Sequence, residues 1–150
     1  MTNADTPSFD SKSRSSYDFF TTESLRIADL DQNGHVNNIT FLELFENVRN
    51  RFIQDRTPLI RNDERTYMLV HLDIDYASEL RYPGTVDAAC RLTEVRRSSV
   101  VFTQAIFDGA RLAASGHAAI VNVDRLIGKA APFDDIVRAK LASLLPLQAT

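Results

Sequence analysis

The densest run of reactive side chains in this 150-residue chain is Asp29-Leu30-Asp31-Gln32-Asn33-Gly34-His35-Val36-Asn37-Asn38. It carries two carboxylates, an imidazole and several carboxamides, directly before a segment with helical periodicity. A helix start presents N–H groups without intrahelical partners and about half a positive charge. A carboxylate beside such donors can act on a carbonyl whose oxygen the donors polarise. The run also opens like a calcium loop, D-x-D-x-N-G, with Val36 in the apolar place after the glycine. That loop needs a bidentate glutamate where this chain has Thr40, and Glu43 comes too late to serve. A plainer reading stays open: Asp29 and Asp31 suit a turn, and Asn37 or Asn38 suits a helix cap.

These groups depend on the elements that hold them. Ile39, Phe41, Leu42, Phe45, Val48, Phe52 and Ile53 recur at three- and four-residue spacing, which predicts a helix from Ile39 to Gln54 about 24 Å long. Tyr17 to Ile27 reads as a strand ahead of it, and Thr57 to Glu64 as a loop behind it. From there the period drops to two. Strands are predicted over Thr66–Tyr76, Val86–Val95, Ser99–Phe107 and Arg111–Val123, with turns at Tyr82-Pro83-Gly84, Arg96-Arg97-Ser98 and Asp108-Gly109. The last strand is rich in small residues from Ala113 to Ala119, which would let a helix approach the sheet closely. Pro132 opens a predicted C-terminal helix, Asp134 to Leu144. One long helix against consecutive antiparallel strands is an α+β layer arrangement, its other sheet face solvated or covered by something else. Residues 1–16 have almost no apolar content and are expected as a flexible N-terminal tail, leaving 17–150 as the domain.

Composition narrows the function classes. Hydrophobic types make up 44% of the chain and charged types 25%, ordinary for a globular protein. The net charge of −3 has the wrong sign for a general nucleic-acid binder. No apolar run approaches the ~20 residues of a membrane span, and the N-terminus does not read as a secretory signal. Cys90 is a lone cysteine, so no intrachain disulfide and no cysteine-only metal site can form. A cytoplasmic location with no membrane partner is expected, with no metal.

The run DLDQNGHVNN followed by ITFLELFENVRNRF resembles the signature of hotdog-fold acyl-CoA thioesterases of the 4-hydroxybenzoyl-CoA thioesterase family. The likeness continues, more weakly, through VHLDIDYASELRYPGTVDAACRLTEVRRSSVVFTQAIF and AASGHAAIVNVDRLIGKAAPF, covering roughly residues 20–145. The resemblance implies a long central helix wrapped by a curved antiparallel sheet of about five strands, plus the C-terminal helix. It also implies a homodimer or homotetramer with active sites between protomers. Asp31 matches the family's catalytic carboxylate, as nucleophile or general base. Asn38 falls where a backbone N–H holds the thioester oxygen, with His35 and Asn37 as further candidates beside it. The substrate implied is an acyl-CoA, with coenzyme A as part of the substrate and no separate cofactor. Its phosphates would call for a local basic patch, for which Arg96, Arg97, Ser99 and Lys129 are the candidates. Two other uses stay open: a thioesterase acting on acyl carrier protein, and a non-catalytic acyl-CoA binding module. The decisive expectation is geometric. The Asp31 carboxylate should share a pocket with the first amides of the long helix.

Overall fold

The computed structural model describes residues 8–147. Its elements are β1 (Phe20–Ser24), α1 (Asn38–Arg56), β2 (Arg65–Tyr76), β3 (Thr85–Val95), β4 (Ser99–Asp108), β5 (Arg111–Asp124), β6 (Lys129–Ala130) and α2 (Asp135–Ala142). The sheet is antiparallel in the order β1-β3-β4-β5-β2, with β6 added against the end of β5. This is the hotdog arrangement: one long helix held by an antiparallel sheet, with a short C-terminal helix.

Helix α1 has 19 residues, about 28 Å at the usual rise. It buries Phe41, Leu44, Phe45, Val48, Phe52 and Ile53 against β3, β4 and β1. The predicted stripe included Ile39, which the structure leaves 59% exposed, while Leu44 is buried in its stead. At 100° per residue Ile39 falls on the opposite side of the helix from Phe41, Val48 and Phe52, while its first-turn neighbours Thr40 and Phe41 are buried. On the sheet side the core is built by alternation, with Ala88, Cys90 and Leu92 of β3 and Val100, Phe102 and Ile106 of β4 inward.

One polar pair departs from the apolar pattern. Arg49 is only 4% exposed although it lies on the buried side of α1. Its guanidinium donates to Gln104 Oε1 at 2.9 Å, and Gln104 Nε2 donates to the Phe45 carbonyl at 2.7 Å. Burial holds the Arg49 pKa below its usual value and, nearby, pushes the Cys90 thiol up.

One of the small residues of β5, Gly116, has a different cause from the one expected. Helix α1 rests chiefly on β3 and β4. At Gly116 the close neighbour is β2: a Cβ there would overlap the Asp73 carbonyl oxygen.

The face of the sheet away from α1 is partly covered by the chain's own beginning. Phe9, Tyr17 and Phe20 pack with Ala89, Ala105 and Phe107. Arg14 ties the segment down through Asp87 Oδ2 at 2.6 Å and the Gly109 carbonyl at 3.0 Å. Arg91 donates to the Ser16 carbonyl at 2.7 Å. Residues 8–16 of the expected tail are therefore docked on the sheet, because their few aromatic and arginine side chains meet a small-residue apolar surface. Residues 1–7 lie outside the described range.

Candidate active site

The run from Asp29 to Asn38 folds into a closed turn that ends in the helix. Leu30 and Val36 form an antiparallel bridge. Inside it, the Asp31 N–H donates to the His35 carbonyl at 2.7 Å and the Gly34 N–H to the Asp31 carbonyl at 3.0 Å. Gly34 sits at φ +77°, a conformation that only a residue without Cβ adopts freely. Asp31 closes the turn from within: its Oδ1 accepts from the Asn33 N–H at 2.8 Å and the His35 N–H at 3.1 Å. One oxygen fixes the carboxylate in the turn, and the other has no hydrogen bond among the described residues. The side chain is half-buried.

Asp29 plays a different part. It is 5% exposed and accepts from the Arg26 N–H at 2.7 Å and from the Arg26 guanidinium at 2.8 Å. The Arg26 side-chain hydrogen bond, outweighing desolvation, holds the Asp29 carboxyl below the usual carboxylate range. The Asp29 carbonyl receives the Asn37 N–H at 2.8 Å and the Thr40 hydroxyl at 3.3 Å, which locks the turn to the helix.

Asn37 is the helix cap, its Oδ1 accepting from the Ile39 N–H at 3.0 Å. Among the described residues no acceptor takes the Asn38 N–H, as befits the first residue of a helix. Beside it lies a cavity of about 290 Å³, walled by His35, Val36, Asn38 and Phe41 on one side and Tyr76 to Leu80 on the other. The Tyr76 hydroxyl donates to the Asn38 carbonyl at 3.2 Å, and its ring meets Phe41 edge-on at 5.2 Å.

His35 and Asn38 are thus brought together at one cavity. Asp31 adjoins it through its bond to the His35 N–H but is not one of its wall residues, since its Oδ1 is turned into its own loop. Among the described residues the expected shared pocket is therefore only partly formed.

The expected phosphate-binding residues lie elsewhere. Ser99 is level with Val121 of β5 and Met68 of β2, whereas Ile106 is level with Ala114 and Tyr76. The helix start is thus at one end of the sheet and the β3–β4 hairpin at the other, about 23 Å away along β4. Arg96 is already held by Glu94, with bonds of 2.8 and 3.1 Å, and that hydrogen bond raises its pKa. The Arg97 carbonyl receives a guanidinium N–H of Arg138 at 2.7 Å. Ser99 is half-buried and closes the hairpin through its carbonyl. Lys129 is exposed on β6 at the same end.

Sequence reasoning passed over Tyr76, Ser78, Glu79 and Leu80 as wall residues. Tyr76 was legible as the last apolar position of a period-2 strand, but not as the residue that reaches the helix start. His71 and His117, expected as strand residues, both meet Asp73, at 3.1 and 3.0 Å. Among the described residues no group of three or more His, Cys, Asp or Glu is placed to hold a metal ion. Nor is any helix there long and apolar enough to cross a membrane.

Comparison with known proteins bears on what this arrangement is for. A model of the thioesterase-like superfamily matches residues 25–141. No curated protein matches the chain. A solved protein from Pseudomonas aeruginosa strain PAO1 is 28% identical, with a TM-score of 0.77 over 89% of this chain and 95% of that one. A thioesterase from Thermus thermophilus, solved with coenzyme A and zinc, is 25% identical, with a TM-score of 0.72 over 83% and 98%. A predicted thioesterase from Bacillus stearothermophilus is 23% identical, with a TM-score of 0.76 over 87% and 98%, a likeness of fold.

Proposed function

We propose that this chain, which belongs to the thioesterase-like superfamily of thioester hydrolases, acts on acyl-coenzyme A, releasing a free acid and coenzyme A. The observation that carries the proposal is the Asn38 N–H, without an acceptor among the described residues, at the head of α1 on the wall of a cavity that Asp31, with one uncommitted oxygen, adjoins through the His35 N–H. The Thermus relative solved with coenzyme A supports the choice of carrier.

The thioester carbonyl points its oxygen at the Asn38 N–H, where charge growing on oxygen is stabilised; one such donor can contribute ~2.7–4 kcal/mol of barrier lowering. Asp31 then acts through its free oxygen. As nucleophile it forms a mixed anhydride while the C–S bond breaks and the thiolate leaves to be protonated; water afterwards splits the anhydride. As general base it takes a proton from water, the hydroxide adds to the carbonyl, and the proton passes to the departing sulfur. His35 and Asn37 shape the site through their backbone and cap bonds.

The working unit in this proposal is a pair of chains. Strand β2 is an edge strand that exposes Met68 and Val70, at 56% and 63%. Unpaired apolar edges are ready templates for another strand. Antiparallel pairing of β2 with its copy brings the basic end of one chain beside the helix start of the other. Arg97 and Lys129 then serve coenzyme A phosphates across the boundary, with Arg96 and Ser99 framing the hairpin.

The test is a hydrolysis screen over acetyl- to palmitoyl-CoA and benzoyl-CoA, beside acyl carrier protein esters, with Asp31→Asn as control. Turnover of CoA esters that the control lacks supports the proposal. Binding without turnover would leave an acyl-CoA binding module, and preference for the protein-bound esters would change the carrier.

A further inference from the structure

The turn that carries Asp31 is pinned from inside, and one residue sets the pins. Asp31 Oδ1 accepts from the Asn33 N–H at 2.8 Å and the His35 N–H at 3.1 Å, on either side of Gly34. The Gly34 N–H donates to the Asp31 carbonyl at 3.0 Å. The His35 N–H belongs to the peptide between Gly34 and His35, so the backbone angles of Gly34 decide where that donor points. Gly34 holds φ +77°, in the left-handed region that asparagine enters at modest cost, alanine with more strain and β-branched residues hardly at all. Space is not what calls for a glycine: a Cβ at Gly34 would meet nothing within 4 Å. What the missing side chain supplies is the backbone conformation alone.

Resting on the proposed role of Asp31 in thioester hydrolysis, we propose that Gly34 is a positioning residue for the Asp31 carboxylate. With Oδ1 held by two amides, the rigid carboxylate has little freedom to turn, and its second oxygen keeps one place before substrate arrives. Forcing position 34 out of the left-handed region swings the Gly34–His35 peptide, withdraws the His35 N–H and leaves Oδ1 with a single donor. The carboxylate then spreads over several orientations. Rates fall steeply when a reacting group is misplaced by about an ångström. Gly109 provides a comparison inside the same molecule. It holds φ +60°, is equally open, and sits in the β4–β5 hairpin with no bond to Asp31 among the described residues. A valine meets the same backbone strain at either place, but only one of the two glycines aims an amide at the carboxylate.

The experiment compares wild type with Gly34→Asn, Gly34→Ala, Gly34→Val and Gly109→Val, with Asp31→Asn as the marker of the chemistry itself. The loss of kcat should grow in the order Gly34→Asn, Gly34→Ala, Gly34→Val, from within about three-fold to about ten- to a hundred-fold, with KM within about two-fold throughout. Amide exchange at His35 should quicken in Gly34→Val and stay near wild type in Gly34→Asn. Gly109→Val should lower the melting temperature much as Gly34→Val does, yet keep wild-type kcat. Wild-type kcat in Gly34→Val would overturn the inference, as would a loss confined to KM. Equal losses in Gly34→Asn and Gly34→Val would overturn it too, since the effect would then follow any side chain and not the backbone angle. So would an equal loss of kcat in Gly109→Val, which would make general strain the cause. Should Gly34→Val fold poorly, Gly34→Ala set against Gly34→Asn carries the same comparison. Wild-type activity abolished by Asp31→Asn, beside an unaffected Gly34→Val, defeats this inference alone. A wild type inert toward every thioester defeats the functional reading and this inference with it.

Discussion

Asp29 and Asp31 are the same residue type separated by one leucine, yet their surroundings divide the labour between them. Asp31 has an uncommitted oxygen, so Asp31→Asn should reduce kcat by about a hundred-fold or more while the melting temperature stays close to wild type, measured by steady-state kinetics and thermal unfolding. Asp29 has none to spare. Asp29→Asn should cost about 1–3 kcal/mol of stability at neutral pH, read from denaturant unfolding, because the carboxylate's hydrogen bonds to Arg26 are charge-assisted. The Asp29 pKa is depressed in the folded state, so its contribution is complete above the unfolded value of about 3.9 and fades as pH falls through the folded value. Wild type and Asp29→Asn should therefore converge in stability in strong acid and separate above about pH 4.

At the scale of elements, strands β2 to β5 and helix α1 were legible because their apolar residue types repeat in the sequence, although burial does not follow that repeat in every strand: β2 has no fully buried residue and β4 buries a continuous run. So were the turn at Gly34 and the cap at Asn37, whose chemistry is local. What escaped had no local signal. Strand β6 is two residues long and carries no period. Arg49 interrupts an apolar stripe and is accommodated only because Gln104, distant in sequence, accepts from it. Tyr76 reaches Asn38 only once β2 has folded alongside α1. The small residues of β5 were legible as a close approach, but at Gly116 the partner is β2 and not the helix. Gly116→Ala tests this directly. A Cβ overlapping the Asp73 carbonyl must push the two strands apart, so a loss of about 1–3 kcal/mol or more is expected in denaturant unfolding, with β2 amides exchanging fastest.

For the whole molecule, the ~23 Å between the helix start and the basic end sets the prediction. If coenzyme A phosphates are bound across a pair of chains, mixing inactive Asp31→Asn protein with an Arg97→Ala/Lys129→Ala variant should generate hybrid pairs with one intact site. Activity on acyl-CoA should then exceed that of either parent, assayed after exchange of subunits. Rising salt should raise KM for CoA esters more than for short thioesters lacking the nucleotide. The docking of Phe9, Arg14 and Tyr17 on the reverse of the sheet reaches further. The patch of Ala89, Ala105 and Phe107 is already upholstered by the chain's own Phe9 and Tyr17, with Arg14 pinning the segment, so a neighbour could reach that patch only by displacing it.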